Sequence, residues 1–138
     1  MNKNTTPDLL PSMMTFINTF LRGVVKERWL NLCSSKQVRW DALDPYDLLK
    51  DHAVKPNALT LFEGRVLSEI FSDYKIEHAC QERIVVASIG HAAKGLYEDS
   101  FQNALMGNSA PLEGLLLYKP AEFVVCHTHH GEAWVIAK

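Results

Sequence analysis

Three of the six histidines fall at His127, His129 and His130, directly after Cys126 and just before Glu132, in the stretch VVCHTHHGEAWVIAK. Imidazole and carboxylate are ligands that suit zinc, iron or manganese, so this segment is the first place to look for chemistry. Take His130 and Gly131 as the two central residues of a tight turn, where glycine supplies the positive φ such turns need. His129 then opposes Glu132, His127 opposes Trp134 and Cys126 opposes Val135. Strand alternation puts His127, His129 and Glu132 on one face and Cys126 on the other. That geometry disfavours a Cys-plus-His zinc site and permits a site of two histidines and one carboxylate. Further donors would come from His52, His78, His91, Asp99 or Glu122. The competing reading is a hairpin tip, with His127 packed beside Trp134. Glu132 would then pair across the strand with a histidine for roughly a few tenths of a kcal/mol. The expectation is the hairpin tip, with no resident cofactor. His127, His129 and Glu132 stand as the metal-ligating candidates for zinc or iron should the tip bind an ion.

HTHHGEAWVIA resembles the cupin motif His-x-His-x-Gly-Glu-Glu at His127, His129, Gly131 and Glu132. It departs from that motif where Ala133 takes the place of the second glutamate, the usual ligand. The His-x-His core is also similar to that of JAMM-type metallopeptidases, but no Ser-x-x-Asp segment follows it. The metallo-β-lactamase pattern His-x-His-x-Asp-His fails at Gly131 and Glu132. The likeness covers about a dozen residues, and neither fold nor activity is carried across from it.

Other residues invite chemistry less strongly. A nucleophilic cysteine needs an exposed, electropositive setting. Cys126 lies in the apolar run FVVCHT, where a buried and inert thiol is expected, while Cys80 lies among polar residues. SIGHAAKG (88–95) carries Gly90, Lys94 and Gly95, but its spacing matches neither phosphate-loop nor dinucleotide fingerprint. Residues 22–39 hold Arg22, Lys26, Arg28, Lys36 and Arg39 against Glu27 alone, with Trp29 and Trp40 interleaved. Nucleic-acid contact through Arg22, Lys26, Arg28 and Arg39 is one reading. A solvated helix face with its tryptophans turned inward is the other, and it is preferred because no domain-wide basic surface accompanies the cluster. Asp44/Asp47 and Glu98/Asp99 are acid pairs at expected helix starts, where they complement the helix dipole.

The elements that would position these groups follow from periodicity. Residues 1–11 read as a loose arm. Ser12 is a plausible N-cap, and Met13, Phe16, Ile17, Phe20, Leu21, Val24 and Val25 recur at helical spacing, predicting one amphipathic helix over about 12–32. Two short helices meet at Asp44-Pro45, with Asp44 as N-cap and Pro45 in the first turn. Residues 51–57 read as a loop. Thr60 to Glu63 fits a capping box opening a helix to about residue 73. RIVVAS (83–88) reads as a strand, YEDSFQNALM (97–106) as a helix, and 113–119, 123–128 and 133–138 as strands, with Pro120 turning the chain between the first two.

The expected fold is α+β: N-terminal helices packed on a small, mainly antiparallel C-terminal sheet of order β-α-β-β-β. One domain is expected, with helical half 12–73 and sheet half 74–138, since 138 residues suffice for a single core. The last strands are apolar at nearly every position, so both sheet faces should be covered, by helices or by a second copy of the chain. Net charge is −2, which gives no general attraction to nucleic acid or anionic membrane. Three widely spaced cysteines suggest reduced thiols and a cytoplasmic setting. The N-terminus does not read as a secretory signal, and no segment is apolar enough to span a bilayer. The function expected is non-enzymatic: a domain acting through self-association, as a homodimer through the C-terminal strands or helix 12–32, or through an unidentified protein partner.

Overall fold

The computed structural model describes residues 9–35, 38, 40–50, 52–55, 58–63, 69, 72–73, 83–89, 95–100, 103, 113–128 and 132–138. Side chains of Asp41, Leu61, Phe62, Glu63 and Glu132 lie outside that description. Two helices lead the chain, α1 (Leu10–Phe20) and α2 (Gly23–Cys33). The strands are β1 (Leu59–Glu63), β2 (Arg83–Ser88), β3 (Gly95–Ser100), β4 (Gly114–Lys119), β5 (Phe123–His127) and β6 (Glu132–Ala137). They form one sheet in the order β1-β6-β5-β4-β2-β3, and every pairing is antiparallel. The class is the α+β arrangement expected, with the helices N-terminal and the sheet C-terminal.

The single helix expected over 12–32 is two. It opens at Leu10 with Pro11 in its first turn, so Ser12 is inside it. Leu21 then leaves helical geometry (φ −94°, ψ 159°) and bridges Val54. Gly23 follows at φ +72°, a left-handed conformation that only glycine adopts cheaply. The break is fastened by Arg22 N to Ala53 O (2.8 Å) and Lys55 N to Phe20 O (2.9 Å). Arg22 Nε also donates to the His52 carbonyl at 2.8 Å. His52 itself holds φ 55°, an uncommon state for a residue with a Cβ. The expected apolar stripe survives the break except at Val24: Met13, Phe16, Ile17, Phe20, Leu21 and Val25 are buried, whereas Val24 is 76% exposed.

Asp44 and Pro45 behave as the sequence suggests. The Asp44 carboxylate accepts from Tyr46 N at 3.0 Å, and Pro45 opens a 3-10 helix, Pro45–Leu49. A second 3-10 turn covers Trp40–Ala42. The helix expected from Thr60 is not what 59–63 form. That stretch is β1, paired along its length with β6 from Leu59↔Ile136 to Glu63↔Glu132. Similarly, Gly95–Ser100 is a strand paired with β2, where the sequence suggested a helix from residue 97. Helical geometry starts later: the Ser100 hydroxyl accepts from Asn103 N at 3.2 Å, and Asn103 is helical. The rest of 101–112 lies outside the described residues.

Register fixes the two faces. Val85, Ala87, Leu115, Leu117, Val124, Cys126, Trp134 and Ile136 fall on one face by alternation. They share a core with Phe16, Ile17, Phe20, Trp29 and Leu48 of the helical layer. On the other face Ile84, Val86, Leu116, Val125, Ala133 and Val135 are also buried, none more than 3% exposed. Both faces are therefore covered, as the continuous apolar runs imply, and within this chain alone. β5 and β6, the strands expected to mediate dimerisation, are inner strands of the sheet. No helix among the described residues is long and apolar enough to cross a membrane.

Candidate functional site

His127 ends β5 at one end of the sheet. Across that end run Gly95, Ser88, Gly114, His127 and Ala133, each the register partner of the next. Four of the five have small side chains, and the half-buried imidazole is the one large group among them. The small residues are there for steric reasons. A Cβ on Gly114 would lie 2.0 Å from the Ala87 carbonyl oxygen, so β4 approaches β2 too closely for any side chain. Gly95, at φ +117°, lies beneath the Trp40 indole, whose Nε1 would be 3.4 Å from a Cβ there.

The register also revises the hairpin. His127 pairs with Ala133 and Cys126 with Trp134, one residue away from the pairing that a two-residue turn would give. Five residues, 128–132, separate His127 from Ala133, and a one-residue slip moves every partner to the opposite face. Trp134 thus shares the helix-covered face with Cys126, and His127 lies on the other. The expected pairing of His127 with Trp134, on which the shared face with Glu132 rests, is replaced by His127↔Ala133. His129, His130 and Gly131 lie outside the described residues, as does the Glu132 side chain. Among the described residues no three His, Cys, Asp or Glu groups assemble as metal ligands. That statement does not reach His129 or the Glu132 carboxylate. Of the further donors, His52 is exposed, and His78 and His91 lie outside the described residues. Asp99 accepts from Ser100 N (2.8 Å) and from Asn103 Nδ2 (3.1 Å). Glu122 lies in the β4–β5 turn, its N–H bonded to Lys119 O at 2.8 Å.

Cys126 is wholly buried, and burial pushes its thiol well above the ordinary range. The Glu113 and Asp44 carboxylates push the same way, and the Trp134 indole N–H opposes them. That N–H contact is poorly formed, because Trp134 Nε1 has no partner by hydrogen-bond geometry among the described residues. Cys33, on the buried side of α2, is raised to about 11 by burial. Neither thiol supplies a nucleophile at neutral pH, because the thiolate is the reactive form. Cys80 and SIGHAAKG from Gly90 to Lys94 lie outside the described residues.

Two exposed arginines of the basic segment reach partners elsewhere in the fold. Arg28 on α2 pairs with the buried Asp47 carboxylate, and Lys50 Nζ stands 3.8 Å from the other oxygen. Arg22 holds the His52 carbonyl, Lys26 is half-buried, and Arg39 lies outside the described residues. Trp29 is fully buried and Trp40 packs against the core, so both tryptophans turn inward.

In the other direction the sheet ends at β1 and β3 among the described residues. An edge strand leaves one row of backbone N–H and C=O groups facing away from its neighbour. On β3, Gly95 and Leu96 are buried and Tyr97 and Glu98 are exposed, with Tyr97 at 36%. Partial burial, then the neighbouring Asp99 carboxylate, raises the Tyr97 phenol above its usual range. Arg83 reaches across from β2 to the Glu98 carbonyl at 3.2 Å. The sequence hides this edge because YEDSFQNALM has a helical pattern from its first residue. The signal was the step from Leu96 to Tyr97 directly after a glycine. No protein-family model, no curated protein and no solved structure matches this chain.

Proposed function

We propose that this domain works by association rather than catalysis, with a second copy of itself or with a protein partner, through the outer edge of β3. The observation that carries the reading is the contrast within one sheet. The inner strands are largely buried on both faces, whereas β3 ends the sheet among the described residues and leaves an aromatic residue, Tyr97, 36% exposed. Tyrosine is enriched where protein surfaces meet, since it brings a large rigid area and a polar tip. Strand addition at such an edge supplies affinity through main-chain hydrogen bonds and specificity through alternate side chains. Because β5, β6 and most of the α1 stripe are buried, this reading rests on β3 rather than on the terminal strands or the helix over 12–32.

Light scattering coupled to size exclusion tests the self-association form. The mass should climb from 15.6 kDa toward twice that value as concentration rises. Tyr97→Lys should hold the chain at the monomer mass. Val24→Lys, at a residue 76% exposed on α2, should leave the climb unchanged. A monomer at every concentration, or equal effects of the two substitutions, would contradict the self-association form. Metal analysis of the same untagged preparation reports on the competing metal-dependent reading through His127, His129 and Glu132.

A further inference from the structure

We draw no further inference here: the strongest candidate, the pair of buried indole N–H groups of Trp29 and Trp134 in the layer between the helices and the sheet, has no hydrogen-bond partner among the described residues but is sealed among packed core residues, and nothing in the structure shows what acceptor would meet it or by what path a ligand would arrive.

Discussion

Gly114→Ala should be among the most damaging small substitutions in this protein. The added methyl carbon would lie 2.0 Å from Ala87 O, 3.0 Å from Ala87 C and 3.1 Å from Ser88 Cα. All three obstructing atoms belong to the β2 backbone, so no rotamer change relieves the overlap. β4 must move away from β2 by more than an ångström, or the ladder from Ser88↔Gly114 to Val85↔Leu117 must loosen. Overpacking in a well-packed interior costs roughly 1–3 kcal/mol, occasionally more, and a backbone obstruction belongs at the upper end. A loss of about 3 kcal/mol is large against a total stability of about 5–15 kcal/mol. It corresponds to a fall in Tm of roughly 10 °C for a chain of this length. Gly23→Ala is the control. Gly23 has φ +72° and nothing among the described residues within 4 Å of its Cβ position, so alanine meets backbone strain rather than a clash there. That strain costs about 1–2 kcal/mol. Urea unfolding followed by circular dichroism, with m-values compared, measures both. If Gly114→Ala loses no more stability than Gly23→Ala, the close approach of β2 and β4 is wrong, and with it the row that positions His127.

Asp47→Ala should cost about 2 kcal/mol, because it removes a buried, charge-assisted hydrogen bond from Arg28. Arg28→Lys should cost less, since Arg28 is about half exposed and Lys50 remains near the carboxylate; chemical denaturation of the two variants checks the order. Cys33 and Cys126 should resist iodoacetamide at pH 8 in the native state and react once urea unfolds the chain, as mass spectrometry of labelled peptides would show. Stability should also fall as pH rises above the usual thiol value of 9.0. The unfolded thiols lose protons there, whereas folded Cys33 keeps its own to about 11, so the unfolded state binds fewer protons and gains from each step up in pH. Stability that rose between pH 9 and 11 would contradict the burial of Cys33. Untagged protein should carry no stoichiometric zinc or iron, and His127→Ala should leave its metal content unchanged; elemental analysis decides this.

Local chemistry was legible where local rules suffice. RIVVAS is a strand over the residues its β-branched run marks. Asp44 and Pro45 start a helical turn as capping rules require, and Lys119 to Glu122 turns the chain. What the sequence concealed depends on distant partners. Thr60 to Glu63 satisfies a capping box, yet the free side of β6 recruits it as a strand. The helix break at Leu21 is set by a bridge to Val54, more than thirty residues away in sequence, with Gly23 as its only local sign. The hairpin register turned on a loop length that composition does not fix. For the candidate site, the burial of Cys126 was readable from its apolar strand. The partners of Arg22 and Arg28 were not, because both ion and carbonyl lie across the fold.

Hydrogen exchange along β3 tests the central claim most directly. Amides of Gly95–Ser100 that point away from β2 should exchange rapidly in dilute solution. On concentration, or on addition of the partner, they should slow at least tenfold, while amides of the inner strands β4 and β5 stay as they were. Outer-edge amides that exchange at one rate under both conditions, while protection grows on another surface, would contradict the account.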